Sequence, residues 1–265
     1  MRAFRLAYDG TLYHGFQRQP DVLTVEGELF VAFERLGVFD GARRPDGYAA
    51  AGRTDAGVSA VAQTVAFECP DWLSPRALNS ELPAAIRSWA SADVSPDFHA
   101  THDAARREYT YHLYAPDGSP EQACAALDAL SGTHDFHNLT PDEAGTKRTL
   151  ETHLVVDGSY FVITLSAEGF ARQLVRRVVG LVWAIAHSER EDVDRVLSTE
   201  TLSGPDGVPV APPEPLVLTN VQYPKLRFES DDDAVMSAHE VFESKRIERQ
   251  TDARVAGMIH EFIDD

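Results

Sequence analysis

The residues best suited to catalysis lie in one short stretch, AAAGRTDAGVSA (residues 49–60), which contains Arg53 and Asp55. Small residues on both sides let a ligand approach the backbone closely. Arg53 lies two residues away and can pair with the Asp55 carboxylate. An aspartate beside arginines stays ionised, which makes it a competent nucleophile or base. The alternative is a tight turn, because Asp and Gly are favoured turn formers.

Burying a charged aspartate without a partner is costly, so a second arginine is expected near Asp55. The apolar stretch GFARQLVRRVVGLVWAIA (residues 169–186) offers Arg172, Arg176 and Arg177. Its periodicity predicts a helix over residues 170–187, on which Arg172 and Arg176, four residues apart, share a face. The alternative for each arginine is a solvated head on an apolar stem.

The alternating stretch REYTYHLYA (residues 107–115) predicts a strand with Arg107, Tyr109 and Tyr111 on one face. Strand tyrosines usually belong to an aromatic core. On a cleft wall they would instead form a stacking platform for a nucleic-acid base, which contributes about 1–3 kcal/mol per base.

The elements that would position these residues indicate an α+β fold. A strand, a helix capped by Thr24, two strands, a short helix and a strand precede residue 100. A similar run follows, including a hairpin around Asp157 and Gly158. We expect an N-terminal half over residues 1–100 carrying the aspartate loop. A C-terminal half over residues 101–228 carries the tyrosine strand and arginine helix, and an acidic helical extension spans residues 229–265.

Composition limits the cellular setting. The 265 residues are 43% hydrophobic, which is enough for a substantial core. No run of about 18 apolar residues predicts a membrane span, and the N-terminus lacks a signal-peptide pattern. Cys69 and Cys124 form neither a disulfide framework nor a metal-ligand pair. These features predict a protein of the reducing cytoplasm without structural zinc.

Charge is the most unusual property of the chain. Lys and Arg total 24 against 42 Asp and Glu, which gives a formal net charge of −18, and the only lysines are Lys147, Lys225 and Lys245. An acidic, lysine-poor surface favours a cytoplasm of very high salt, where repulsion is screened within about 3 Å at about 1 M. The alternative is an ordinary acidic protein. Taken alone, this charge argues against a nucleic-acid partner.

Six motifs occur in the order found in the tRNA pseudouridine synthase A family, and the resemblance runs from about residue 2 to residue 224. The motifs are YDGTLYHGFQRQ (residues 8–19), GRTDAGVSA (52–60), RREYTYHL (106–113), GTHDFHNLT (132–140), GFARQLVRRVVG (169–180) and APPEPLVLTNVQY (211–223). Two positions depart from the usual pattern: Ser59 replaces a histidine and Phe16 replaces a tryptophan. The acidic tail lies outside the resemblance.

The resemblance implies a pseudouridine-synthase-like mixed, mainly antiparallel sheet flanked by helices, with an active-site cleft between the two halves and a homodimeric assembly. It implies an isomerase of tRNA processing that converts uridine to pseudouridine at positions 38–40 of the anticodon arm, with no cofactor and no metal. By motif position, Asp55 resembles the catalytic aspartate and Arg176 its basic partner. Arg53 resembles the arginine that flips or holds the target base, and Tyr109 the tyrosine that packs on it.

An RNA substrate requires a positive surface within this acidic chain. We therefore expect a basic cleft, with Arg18, Arg107, Arg172 and Arg177 as further RNA contacts. The reaction breaks the N1–C1′ bond, rotates the uracil and joins C5 to C1′. Asp55 could attack the sugar carbon, attack uracil C6, or remove a sugar proton.

Other functions are compatible with parts of the sequence. A tRNA-binding module without catalysis would not need Asp55, and a related synthase could act on other RNA positions. No phosphate-loop or dinucleotide-binding pattern supports a nucleotide-dependent enzyme around Gly52. A metal hydrolase is weakly supported, because His99, His134 and His137 are scattered along the chain.

Overall fold

The computed structural model describes residues 1–38, 44–190 and 193–263. The strands of these residues are β1 (Arg2–Tyr8), β2 (Ala49–Ala50), β3 (Ser59–Phe67), β4 (Ile86–Asp93), β5 (Arg106–Tyr114), β6 (Gly132–Asp135), β7 (Lys147–Asp157), β8 (Tyr160–Ala167), β9 (Leu216–Gln222) and β10 (Glu229–Ser230). The α-helices are α1 (Val25–Arg35), α2 (Pro75–Asn79), α3 (Pro120–Leu130), α4 (Leu174–Ala186), α5 (Val193–Leu197) and α6 (Asp232–Ile263).

The strands form one sheet in the order β10-β4-β1-β3-β9-β5-β8-β7-β6, with β2 paired to β3. Every pairing is antiparallel except that of β3 with β9, where Ser59 lies beside Val217 and Ala60 beside Leu218. Because β3 and β9 run in the same direction and start level with each other, the loops that precede them emerge at the same end of the sheet. The expected mixed, mainly antiparallel α+β fold is confirmed.

Helices pack on the sheet on both sides of the β3–β9 pairing. In the C-terminal half, α3 and α4 pack on each other, α3 packs on β7, and α4 packs on β5. In the N-terminal half, α2 and α6 pack on β4. One hydrophobic cluster runs through both halves and includes Phe33, Tyr111 and Val178. In the described residues, no helix has the length and apolar character needed to span a membrane.

Several helix starts follow from local capping. The side chain of Thr24 accepts a hydrogen bond from the backbone of Gly27 at the start of α1, as predicted. Ser119 caps α3 in the same way by accepting from the backbone of Gln122, with Pro120 in the first turn. A capping oxygen satisfies one of the orphan N–H groups of the first turn.

The predicted helix over residues 170–187 is wrong at its start. Gln173 has a left-handed backbone (φ 60°), and α4 begins only at Leu174. Hydrogen bonds from outside the segment hold Arg172 in place: its N–H donates to Asp142 Oδ2 (2.8 Å), and its carbonyl accepts from Thr140 Oγ1 (2.9 Å). Arg172 therefore lies outside the helix and shares no helical face with Arg176.

The remaining differences concern short or terminal elements. The acidic extension forms a single helix, α6, of 32 residues. The sequence also predicts a short helix over about residues 191–197. The structure has α5 over Val193–Leu197, and residues 191 and 192 lie outside the described residues. Strands β6 and β10 were not predicted, because four and two residues carry no recognisable period.

Candidate active site

A cleft of about 960 Å³ opens at the end of the sheet where the β3 and β9 loops meet. Its lining includes Asp55, Arg53, Tyr109 and Arg176. Residues that lie 121 positions apart in the chain, Asp55 and Arg176, thus face one space. The structure brings together all four residues that the motifs single out.

The loop before β3 is fixed to neighbouring strands by buried hydrogen bonds. The Thr54 hydroxyl lies 2.8 Å from the hydroxyl of Tyr8, and the Thr54 carbonyl accepts from the N–H of Phe16 (3.1 Å). The side chain of Gln63 donates to the Gly52 carbonyl (2.9 Å). Asp55 therefore sits on a loop in which two preceding residues, Gly52 and Thr54, are anchored.

The other end of the loop is packed equally tightly. Gly57 donates its N–H to the Tyr13 carbonyl (3.1 Å), has φ +83°, and has room for no side chain, because a Cβ would lie 2.9 Å from Pro213. Ser59 accepts a hydrogen bond from the N–H of Gly10 (3.0 Å). Ser59, one of the two departures from the family motif, thus ties the loop to the first motif.

Arg176 supplies the ionic partner of Asp55. Its Nη1 lies 3.2 Å from Asp55 Oδ2, and the side chains are 16% and 37% exposed. Two further bonds orient the arginine: Nε donates to the Ala211 carbonyl (2.7 Å), and the Arg176 carbonyl accepts from the Ala211 N–H (3.1 Å). One carboxylate oxygen is thus fixed by a charge-assisted bond, while the group stays open to the cleft.

Tyr109 forms part of the cleft wall on β5. Its ring meets that of Phe170 edge-on, with centroids 5.2 Å apart. Burial raises the pKa of Tyr109 to about 12, opposed by the charge of Arg107 and assisted by that of Asp55. The phenol is therefore neutral at any physiological pH and presents an aromatic surface beside the carboxylate.

Arg53 differs from the expectation that it could pair with Asp55. Its side chain is exposed and lines the cleft, and it makes no hydrogen bond or ion pair with any residue that the structure describes. Arg176 takes the carboxylate instead. Arg53 therefore keeps its donors available for a molecule in the cleft.

Arg107 binds backbone carbonyls of the protein through its guanidinium, which does not point freely into the cleft. Its guanidinium donates to the carbonyls of Ala51 (3.1 and 2.8 Å) and Thr101 (2.6 Å) and to that of Glu168. Burial lowers the pKa of Arg107. These bonds join three segments that border the cleft, so few donors remain for a phosphate.

The other three arginines proposed as RNA contacts have different surroundings. Arg172 is exposed at the cleft and pairs with Asp142 (3.3 Å). Arg177 donates to the Val208 carbonyl (2.8 Å), and Arg18 is exposed with its guanidinium 5.6 Å from the ring centroid of Phe30. Neither Arg177 nor Arg18 lines the cleft.

The cleft is more basic than the chain as a whole. Among the described residues, five arginines and three acidic residues line it, whereas the whole chain carries a net charge of −18. The arginines are Arg44, Arg53, Arg107, Arg172 and Arg176, and the acids are Glu26, Asp55 and Asp142. Over the described residues, no three His, Cys, Asp or Glu side chains form a group that could hold a metal.

Sequence reasoning missed two supports of the site. Gln63 is fully buried in β3 among apolar neighbours, and its polar side chain there was a signal that could have revealed it. Ala211 orients Arg176 through its backbone alone, which leaves no trace in residue type.

Comparison with known proteins identifies relatives over nearly the whole chain. A family model described as tRNA pseudouridine synthase matches residues 126–224. The tRNA pseudouridine synthase A of Haloarcula marismortui is 59% identical over 98% of both chains, and that of Natronomonas pharaonis is 58% identical over 98% of both. The protein of the same name from Methanothrix thermoacetophila is 39% identical over 86% of this chain and 85% of its own.

These identities extend over both halves of the sheet, and the first two relatives come from halophilic archaea, as the acidic composition led us to expect. The chain belongs to the tRNA pseudouridine synthase A family.

Proposed function

We propose that this protein converts uridine to pseudouridine at positions 38–40 of the tRNA anticodon arm, with Asp55 as the catalytic carboxylate. The observation that carries the proposal is the Asp55–Arg176 ion pair beside the Tyr109 ring in an arginine-lined cleft. Three groups that the reaction needs, a fixed anion, its counter-charge and an aromatic wall, lie at one place.

The chemistry follows from what each group can do to a bound uridine. Cleavage of the N1–C1′ bond develops charge on both the sugar and the uracil, and a carboxylate in a partly dry cleft acts strongly on that charge. Arg176, itself held by the Ala211 carbonyl, binds one oxygen of Asp55 and so fixes the orientation of the carboxylate. Attack on the sugar carbon, attack on C6 and removal of a sugar proton all use the same free carboxylate oxygen.

The target base must leave the helical stack before it can reach Asp55. Flipping costs a few kcal/mol, and two groups in the cleft can offset that cost. Tyr109 offers a ring on which the uracil stacks, at about 1–3 kcal/mol per base. Arg53 is exposed and makes no hydrogen bond or ion pair with any described residue, and its proposed role is to fill the gap that the base leaves.

We assign binding of the tRNA backbone to the exposed arginines of the cleft rim. Arg172 carries this role best, because it is exposed and faces the cleft. Arg18 lies outside the lining and would contact more distant phosphates. Arg107 and Arg177 act mainly by holding backbone segments in place.

Pseudouridine mapping on unmodified tRNA transcripts, in multimolar KCl, tests the proposal. Wild type is expected to modify the anticodon arm, and Asp55→Asn, which keeps size and shape, to bind tRNA without turnover. Asp157→Asn is the matched control: it removes an exposed carboxylate at the hairpin between β7 and β8, outside the cleft lining, and is expected to keep activity within about tenfold (about 1.4 kcal/mol). Product from Asp55→Asn would refute the catalytic role.

The other outcomes separate the alternatives. Binding without product by wild type would favour a tRNA-binding module, and product elsewhere in the RNA a synthase of different position specificity. We further propose a cytoplasmic homodimer on the basis of the family resemblance. Light scattering at multimolar KCl tests the dimer, with twice the chain mass of 29.2 kDa expected.

A further inference from the structure

Asp9 is a buried carboxylate outside the catalytic cleft. It follows β1 directly and is the second residue of the first motif, and its side chain is only 4% exposed. One oxygen accepts from the N–H (3.2 Å) and hydroxyl (2.7 Å) of Thr11. Such a charge is costly to bury unless a cation compensates it.

The compensating cations come from the far end of the chain. Lys245 Nζ lies 3.0 Å and Arg249 Nη2 lies 2.6 Å from the second oxygen, Asp9 Oδ2. The two residues are four apart and therefore share one face of α6. Burial raises the pKa of Asp9, but the hydrogen bonds from Thr11, Lys245 and Arg249 outweigh it and bring the value to about 2.

The contact between Asp9 and α6 uses a residue type that is rare in this chain, a lysine. The chain has three lysines among 24 basic residues, and one of them is three-quarters buried against Asp9. The extension that supplies it is otherwise acidic and mostly exposed. This part of α6 is therefore not a generic solvated helix.

The segment that follows Asp9 packs against the loop that carries Asp55. Gly10 lies so close to this loop that a Cβ would be 2.0 Å from the Val58 carbonyl, and its N–H bonds to Ser59. Tyr13, three residues further, accepts from the N–H of Gly57 (3.1 Å). A shift of Asp9 would thus move the residues immediately after Asp55.

We propose that Lys245 and Arg249 are positioning residues: through Asp9, the C-terminal helix α6 holds the 9–13 segment against the Asp55 loop and so sets the geometry of the active site. This inference rests on the proposed function. It gives the acidic extension a role in turnover, although none of the extension's described residues lines the cleft.

Single-turnover kinetics on the full chain, with enzyme in excess over tRNA, test the proposal. Lys245→Met combined with Arg249→Met is expected to lower the rate constant at saturation at least tenfold, with the tRNA Kd changed less than threefold. Arg246→Met is the matched control. Arg246 lies on the same helix and pairs with Glu243 (2.6 Å), away from Asp9, so its loss is expected to leave the rate unchanged.

A rescue experiment separates positioning from general stabilisation. Adding Asp9→Asn to the double variant removes the charge that needs compensation but keeps an acceptor for Thr11, so the rate is expected to recover at least threefold. All rates are measured well below each variant's unfolding midpoint. If the double variant does not fold, Lys245→Met alone is compared with Lys245→Arg, and only the arginine is expected to retain the wild-type rate.

Three results would overturn the proposal. These are an unchanged rate in the double variant, an equal loss in Arg246→Met, or no recovery on adding Asp9→Asn. If wild type itself forms no pseudouridine, the proposed function fails, and this inference fails with it. A wild-type product together with unaffected variants refutes only the role of α6.

Discussion

Arg176 combines two tasks that only arginine can perform at once. Its Nη1 meets Asp55 while its Nε meets the Ala211 carbonyl. A lysine carries the same charge on a single nitrogen and cannot make both bonds in a fixed fork. The orientation of the Asp55 carboxylate thus depends on guanidinium geometry as well as on charge.

Arg176→Lys is therefore expected to lower the single-turnover rate about 10- to 100-fold, equivalent to about 1.4–2.7 kcal/mol, with little change in tRNA affinity. The control is Arg195→Lys, which alters an exposed ion pair with Glu200 far along the chain from the Asp55 loop. A wild-type rate in Arg176→Lys would show that charge alone suffices.

Tyr109 is expected to act through its ring. Its hydroxyl makes no hydrogen bond to any described residue, and its high pKa keeps it neutral. Tyr109→Phe should therefore stay within about threefold of the wild-type rate. Tyr109→Leu, which loses base stacking worth about 1–3 kcal/mol, should fall about 5- to 150-fold. Equal losses in both variants, measured by single-turnover mapping, would assign the role to the hydroxyl.

The sequence predicted which side chains meet in the cleft better than it predicted how they are connected. The motif carrying Asp55 and the strand carrying Tyr109 both line the cleft as expected. That Arg53 forms no ion pair with Asp55, and that Arg107 binds backbone carbonyls, could not be foreseen, because the partner of an arginine depends on groups that are distant in the sequence. The carbonyls of Ala51 and Thr101 that bind Arg107 have no residue-type signature.

Helix α4 and the loop before β9 form the element-level support of the site. Gly180 lies where they touch, and a Cβ there would be 2.3 Å from the Pro209 carbonyl. Two residues further, Ala211 holds Arg176. Close packing at one glycine therefore places the loop that orients the ion pair.

Gly180→Ala is expected to displace this loop, because the new Cβ would meet the backbone of Pro209, which cannot move aside as a flexible side chain can. We expect a loss of about 1–3 kcal/mol of stability from overpacking and a rate at least tenfold lower. Gly257→Ala is the matched control: it is also helical but meets nothing within 4 Å, so helix propensity favours it. Thermal unfolding and single-turnover rates of the two variants measure the difference. A wild-type rate in Gly180→Ala would contradict the coupling.

Elements with local signals were predictable, and those set by tertiary contacts were not. The cap at Thr24 and the hairpin joining β7 to β8 are encoded in a few adjacent residues. The start of α4 depends on two hydrogen bonds of the Arg172 backbone, which donates to Asp142 and accepts from Thr140, some 30 residues earlier. Apolar periodicity alone therefore extended the helix four residues too far.

The whole chain is organised around one short parallel contact. Strand β9 lies between β3 and β5, although it follows β5 by about 100 residues. This placement aligns the loop carrying Asp55 with the loop carrying Ala211. Strand order of this kind is fixed by long-range pairing and is not visible in hydrophobic patterns.

Salt is expected to have opposite effects on stability and on RNA binding. It screens the repulsion among the acidic residues, which stabilises the fold, and it weakens the attraction between the cleft arginines and phosphates. The net charge of −18 destabilises the compact state through self-repulsion. The cleft instead has an excess of arginine. Of the described arginines that line it, Arg44, Arg53 and Arg172 are exposed, so these side chains can neutralise about three phosphates.

Raising KCl from about 0.1 to about 2 M is therefore expected to increase the free energy of unfolding while weakening tRNA binding roughly 400- to 8,000-fold, far less than a surface with about six to ten phosphate contacts would lose. Most of the gain in stability should come below about 1 M, since the screening length falls from about 10 Å at 0.1 M to about 3 Å at 1 M. Each neutralised phosphate contributes about −0.7 to −0.9 to the slope of log K against log salt, so three exposed arginines predict a slope of about −2 to −3.

Denaturant unfolding and tRNA titration across the same KCl series measure the two responses. Stability that rises linearly beyond 1 M would indicate ion exclusion from the surface rather than screening. A slope steeper than about −5 would require more phosphate contacts than the exposed cleft arginines provide, and would place the main RNA contacts elsewhere. Rising stability with a shallow slope means that the acidic exterior and the basic cleft are physically separate features, and that turnover can persist at salt concentrations at which most RNA-binding surfaces no longer function.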